Sequence, residues 1–192
     1  LQQRGVFLLD APVSGGQQGA RAGTLTCMVG GKAQDLALCS EAMSAFCAHV
    51  THVGALGAGQ TVKACNQVAV TGALLGVAEA TTLARAQGVD LALMREVLLG
   101  GSARSFSLEK HAPRIMEGQF TPGFRAVLMR KDLRLALETA LERGASLPAA
   151  TLAERLLDAL CEGGRADWDW SALALQIQQQ SGMQIPETPQ SS

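Results

Sequence analysis

The sequence predicts a mostly α protein: an all-helical domain built on one long central helix, preceded by a small strand-containing α/β piece. Three observations lead there. From residue 61 to residue 87 the chain keeps one helical pattern, apolar on most faces and closed by Gly88 in a C-cap position. Beyond it, helical patterns recur at about 90–99, 103–117, 126–143, 148–162 and 171–180. Strand-like runs are confined to roughly the first 53 residues.

Taken in order, "VFLLD" at residues 6–10 is a short apolar run with the look of a strand, leading into the turn-rich "APVSGG". "GTLTCMVGG", residues 23–31, alternates and ends in paired glycines, which fits a second strand. Residues 32–47 are rich in Ala and Leu and read as a helix, and "HVTHV" at 49–53 fits a third strand. The helix predicted over 61–87 is roughly 40 Å long. Its apolar residues, Val62, Cys65, Val68, Val70, Leu74, Leu75, Val77 and Leu83, cover most faces, which predicts burial among other helices. Pro148 suits a first helical position. The closing "IPETPQSS" reads as a polar, disordered tail. The expected domains are 1–55, 56–181 and a tail over 182–192.

Composition excludes several classes. The 192 residues are 47% hydrophobic, enough for a sizeable core. With a formal net charge of −1 there is no electrostatic footprint for nucleic acid. The densest basic stretch, Arg130-Lys131-Asp132-Leu133-Arg134, is short and internally neutralised. Five scattered cysteines (Cys27, Cys39, Cys47, Cys65, Cys161), without a C-x-x-C, read as reduced core residues in a cytoplasmic setting. His49 and His52 have no Cys or carboxylate cluster beside them, so no metal site is expected. No signal peptide is visible. The longest uncharged stretch of the central helix, residues 64–78, falls short of the about 20 residues that span a bilayer. The first residue is Leu1, not Met, which fits a fragment or a processed product.

Three constellations carry chemistry. In "GAGQTVKACNQ", residues 57–67, a lone lysine, Lys63, stands one turn into an apolar helix, followed by Asn66 at i+3 and Gln67 at i+4. As an ordinary feature, Lys63 is a lysine whose stem lies on apolar surface and whose head is in water. As a functional one, it is ringed by Val62, Ala64 and Cys65, and both desolvation and the positive helix end lower a lysine pKa there. Such a lysine exchanges a proton with an alcohol or carbonyl oxygen near neutral pH, and either amide can hold the same oxygen. Residues 54–61 nearly match a P-loop, but Gln60 occupies the lysine position. Gly57-Ala58-Gly59 starts a false G-x-G-x-x-G that ends on Val62; here the glycines admit a close approach of backbone or ligand.

The second constellation is "DAPVSGGQQGARAGTL", residues 10–25. Ser14 with the backbone N–H groups of Gly15 and Gly16 forms a nest suited to a carboxylate, with Gly19, Gly23 and Thr24 continuing the loop. The third is "FTPGFRAVLMRKDLRLALE", residues 120–138. There Lys131 and Asp132 open an amphipathic helix and Phe124 precedes them; as a surface ion pair they contribute little.

In this order the three motifs, D-A-P-V-S-G-G with G-T-L, G-x-G-x-x-x-K-x-x-N, and P-G-F with K-D-L, resemble the β-hydroxyacid dehydrogenase family, from residue 7 to about residue 181. That family includes 3-hydroxyisobutyrate dehydrogenase and 2-hydroxy-3-oxopropionate (tartronate semialdehyde) reductase and is related to 6-phosphogluconate dehydrogenase. The resemblance implies NAD(P)-dependent hydride transfer to or from a small 3-hydroxy acid or its semialdehyde. It implies Lys63 as catalytic acid/base, and Ser14, Gly15 and Gly16 on the substrate carboxylate. Lys131 would reach the NAD or NADP nicotinamide, and Phe124 and Asp132 would line the closed site. The family often has asparagine four residues after the lysine; here that position is Gln67, and the asparagine is Asn66.

By the same resemblance, residues 1–55 are the last part of a Rossmann-type dinucleotide domain. The principal cofactor domain is expected to be absent, and the fragment inactive alone. A homodimer or homotetramer is implied, with a small carboxylate substrate and neither nucleic acid nor membrane as partner. Two other classes compete: a non-catalytic helical dimerisation module derived from the family, and an unrelated all-α ligand-binding domain.

Overall fold

The computed structural model describes residues 6–184. Of the tail predicted over 182–192, residues 185–192 lie outside the described residues. The chain divides into two compact units, Leu1–Asn66 and Gln67–Ser192.

The first unit carries a small sheet in the order β1-β2-β3, formed by Val13–Ser14, Leu25–Gly30 and Cys47–Gly54. β1 runs antiparallel to β2, and β3 parallel to it. Parallel strands need a crossover, and α2 (Ala33–Ser44) supplies it. Leu25, Cys27, Val29 and Cys47 form the buried core of this unit, with Leu9, Ala11 and Val13 packed on it.

"VFLLD" is not a strand. Its single ladder contact is the Asp10–Gly30 bridge, and Val6, Phe7 and Leu8 are exposed. Two positions beyond Asp10, Pro12 has no N–H to donate and offers only its carbonyl, which accepts from Met28 N at 3.0 Å. A second difference follows at once. The glycine-rich stretch expected to be loop contains a seven-residue helix of about two turns, α1 (Gly16–Ala22). Gly15 (φ 130°) and Gly16 (φ 62°) make the turn into it, and Gly23 (φ 67°) caps its end. Docking overrides poor helix propensity here: Gly19 is buried against Leu25, where a Cβ would come within 3.1 Å of Leu25 Cδ2.

The long helix, α3, spans Ala58–Ala86, 29 residues, so it begins three residues before the expected start and ends one before the expected end. Gly88, at φ 68°, is where the pattern placed the stop. By length and composition α3 is long and apolar enough to cross a bilayer, contrary to the argument from its uncharged run; half of its most apolar window is buried inside the protein. Burial is one-sided rather than all-round. Leu74, Leu75, Val77, Ala78 and Ala84 are buried, whereas Leu83 is 64% exposed. The buried hydroxyls of Thr71, Thr81 and Thr82 donate to the carbonyls of Gln67, Val77 and Ala78 one turn back, so no polar side chain is stranded at those positions.

The second unit is helical: α4 (Leu91–Leu99), α5 (Ala112–Glu117), α6 (Ala126–Glu142), α7 (Pro148–Leu160) and α8 (Leu173–Gln180) pack with the rest of α3. Asp90 caps α4 by accepting from Leu93 N at 2.8 Å, and Pro148 opens α7 as expected. The helix expected over 103–117 is a π turn, Ser107–His111, followed by α5. Leu74, Leu108, Ile115, Phe120, Leu133, Leu157, Leu160 and Leu173 fill the core. Arg85 of α3 donates to the carbonyls of Ile115 and Met116, two of the end groups that α5 leaves without a helical partner.

Of the cysteines read as core residues, Cys27 and Cys47 are buried, Cys39 and Cys161 are half-buried, and Cys65 is exposed.

Candidate functional site

In the first unit the site is built around the start of α3. Asp10 accepts from Gly57 N through Oδ1 at 2.6 Å and from Gln60 N through Oδ2 at 2.8 Å. These amides belong to the helix start, whose N–H groups have no helical acceptor. Of the two glycines of "GAG", Gly59 serves a close backbone approach, while a Cβ on Gly57 would meet nothing within 4 Å and its φ of 94° is what favours glycine there. A Cβ on Gly59 would collide with the Met28 carbonyl and come within 2.7 Å of Asp10 Oδ2, and one on Gly30 would collide with Asp10 Oδ1.

One turn on, Lys63 Nζ donates to the Val13 carbonyl at 2.9 Å. Val13 precedes Ser14, so the ammonium stands beside the strand that leads into the Ser14-Gly15-Gly16 turn. Lys63 is half-buried, but the predicted apolar ring does not form: Val62 is 37% exposed and Cys65 is exposed too, because both lie on the outer side of α3. Ser14 is half-buried, while Gly15 and Gly16 are exposed, leaving their amides at the surface.

In the second unit, Gln67 is 4% exposed and donates through Nε2 to Asp132 Oδ2 at 2.8 Å. Asn66, the last residue of the first unit, is half-buried. Lys131 and Asp132 do not open their helix; they lie in the second turn of α6, with Lys131 Nζ 3.1 Å from Asp132 Oδ1 and its side chain 63% exposed. The basic stretch is only partly neutralised from within. Arg130 pairs with Asp158 at 3.3 Å, and Arg134 with Asp158 and Glu154 at 2.6 and 2.7 Å, all on α7.

Phe124 packs on the helical core, and its loop is held by a residue the sequence did not single out. Asp169, 2% exposed, accepts from the amides of Gly123 (2.9 Å) and Phe124 (3.1 Å) and from both the amide and the hydroxyl of Ser171, and lies 3.2 Å from Arg114. His111, also buried, sits edge-on to Trp170 and Phe106. Burial pushes its pKa below the usual histidine value, against the raising effect of Asp169 and with the lowering effect of Arg114. Asp10 carries no local signal, since it caps backbone 47 and 50 positions away. Asp169 caps the short helical turn that follows it, a local signal, but its hold on Gly123 and Phe124 is 46 and 45 positions distant.

Residues 57–177 match the family described as NAD-binding of NADP-dependent 3-hydroxyisobutyrate dehydrogenase, and residues 1–54 match the NAD binding domain of 6-phosphogluconate dehydrogenase. The NAD-dependent L-serine dehydrogenase of Pseudomonas aeruginosa is 38% identical over 179 residues, 90% of this chain and 60% of its own length. The 2-hydroxy-3-oxopropionate reductase of Escherichia coli is 39% identical over 165 residues, 86% of this chain and 56% of its own length. A solved structure of Mycobacterium tuberculosis 3-hydroxyisobutyrate dehydrogenase with L-serine superposes with a TM-score of 0.84 at 32% identity, covering 92% of this chain and 62% of that one. The chain thus spans less than two thirds of the length of these relatives. The expected absence of a cofactor-binding domain is not borne out, since both matched stretches belong to NAD-binding families.

Proposed function

The chain belongs to the β-hydroxyacid dehydrogenase family, and on that premise we propose that it carries out nicotinamide-dependent oxidation of a small 3-hydroxy acid, or reduction of the matching semialdehyde. Lys63 is the proton-transfer group. The observation that carries this reading is the 2.9 Å hydrogen bond from Lys63 Nζ to the Val13 carbonyl. It holds a long, flexible side chain at one place, next to the turn we assign to the substrate carboxylate. Positioning of that kind is what a general acid–base group requires.

Bound NAD or NADP would supply hydride-acceptor or hydride-donor chemistry at the carbon that bears the hydroxyl. In the oxidation direction the Lys63 amine takes the hydroxyl proton; in reduction the ammonium returns it to the carbonyl oxygen. Ser14 and the amides of Gly15 and Gly16 bind the carboxylate, which fixes which carbon lies next to Lys63. Gln67 donates to Asp132 and we assign it to holding that carboxylate; Asn66, an i+3 step from Lys63 on the same helix, we assign to the substrate oxygen. The solvent-facing Lys131 ammonium fits a role toward the cofactor, and Phe124 a role in shielding it from water.

The substrates named for the relatives share one pattern, a carboxylate with oxygen at the third carbon, and 3-hydroxyisobutyrate, 2-hydroxy-3-oxopropionate and L-serine form the panel to assay with each cofactor. We also assign a homodimer or homotetramer, supported by exposed Leu83, Leu93, Val97 and Phe106. The non-catalytic reading is not favoured: Lys63 and Ser14 are both present and Lys63 is held in place. In the protein at its natural length, Lys63→Met should lower kcat by at least about 10²-fold on the best substrate of the panel, with cofactor affinity unchanged. A variant that kept most of its kcat would remove Lys63 from the mechanism.

A further inference from the structure

We infer that Asp10 is a positioning residue for Lys63, clamping the start of α3 to the strand that carries the substrate turn; the inference rests on the reading of Lys63 given above. Two ties connect the same two segments. At one end, both Asp10 oxygens accept amides of the helix start, at 2.6 and 2.8 Å. At the other, Lys63 Nζ donates to the Val13 carbonyl at 2.9 Å. Asp10 and Val13 are three residues apart, as are Gln60 and Lys63, so the ties form the opposite sides of a short closed frame.

Three observations distinguish this frame from an ordinary helix cap. A cap normally comes from the residue just before the helix, where it stabilises the helix without fixing its position. Here that segment is Ala55-Leu56-Gly57, with no capping side chain, and the carboxylate comes from 47 and 50 residues away. The Asp10 backbone is itself anchored, with Asp10 N donating to Gly30 O at 3.0 Å and Gly30 N to Asp10 O at 2.8 Å. Finally, Gly30 and Gly59 leave no room for a Cβ beside the carboxylate, so the approach is tight on both sides. A lysine has a long stem whose reach a hydrogen bond at its tip does not set alone. The frame fixes its base as well.

If Asp10 acts through Lys63, its effect vanishes when Lys63 is gone, and a double-mutant cycle reads that directly. Asp10→Asn keeps the volume and one good acceptor but turns an N–H toward one of the two amides. In the protein at its natural length, with the best hydroxy acid of the panel, Asp10→Asn should lower kcat roughly tenfold, a modest part of a general acid–base contribution. KM and cofactor Kd should move less than about threefold. On a Lys63→Met background the same change should leave the residual rate unaltered. Asp10→Ser, which keeps one acceptor on a shorter stem, is read in the same way should the asparagine variant fail to fold. An unimpaired kcat in the Asp10 variant, or a loss that multiplies the Lys63→Met loss, would overturn the inference while leaving Lys63 in its role. A Lys63→Met enzyme that keeps its kcat would instead sink the reading beneath it.

Discussion

Replacing Asp169 with alanine removes the one acceptor shared by four donors. Gly123 N, Phe124 N, Ser171 N and Ser171 Oγ all donate to it, and Arg114 lies 3.2 Å away. Their costs differ. Gly123 is exposed and its amide can turn to water, and the Arg114 side chain is 35% exposed and can do the same. Three donors remain, those of half-buried Phe124 and of Ser171, which has no exposed surface. At about 1–1.5 kcal/mol for each donor left without a partner, the loss comes to roughly 3–5 kcal/mol, which matches the usual cost of breaking a buried charged contact. That is a large share of a typical stability of about 5–15 kcal/mol. Asp169→Asn keeps an oxygen in place and should lose about half as much. Urea unfolding at pH 7 gives both numbers, and m should stay constant, because the unfolded state is the same. A loss below about 1 kcal/mol for the alanine variant would refute the reasoning: the Gly123-Phe124 turn would then be held by its backbone hydrogen bonds, such as Trp170 N to the Phe124 carbonyl at 2.9 Å, rather than by the carboxylate.

His111 predicts a pH dependence. Its folded pKa is depressed, chiefly by burial, so below the ordinary histidine pKa of about 6.5 the unfolded chain binds a proton that the native one resists. Its contribution is therefore fully present above that pH and is lost as pH falls from there toward the folded value. His111→Phe, which keeps the edge-on ring against Trp170, should flatten the fall in urea midpoint between pH 7.5 and 5.5; an identical fall in both proteins would exclude His111 as its source. Ser14→Ala should raise KM for a carboxylate substrate severalfold with kcat little changed, the signature of lost ground-state binding, and equal losses for an uncharged aldehyde would contradict it. Ser14 is the better probe than Gly15, whose φ of 130° and 2.9 Å Cβ approach to Leu25 would confound binding with folding.

What could be read from the sequence followed periodicity and punctuation. Apolar spacing gave α3, α6 and α7, and Gly88 and Pro148 marked their ends, because each of these signals is local. "VFLLD" failed for a related reason. An apolar run has strand character only if a neighbour pairs with it, and Asp10 alone finds one, in Gly30. α1 was hidden because its stability comes from Gly19 lying against Leu25, a contact that glycine content cannot announce. The same holds in the site. Lys63 stood out as a cation on an apolar face, whereas Asp10 and Asp169, which hold backbone 47 and 46 residues away, resemble any other loop aspartate until the chain is folded.

The cation and amides on one turn of α3 then have separate duties. Lys63 is tied to Val13 within the first unit, and Gln67 to Asp132 within the second. An i,i+4 pair shares a helix face, so an otherwise apolar stripe is interrupted at two adjacent positions. A buried Gln is costly unless paired, and its pairing with a carboxylate that also faces Lys131 at 3.1 Å ties α3 to the K-D turn of α6. On the function proposed above, Gln67 holds Asp132 while Asn66, one position earlier and an i+3 step from Lys63, shares the substrate oxygen.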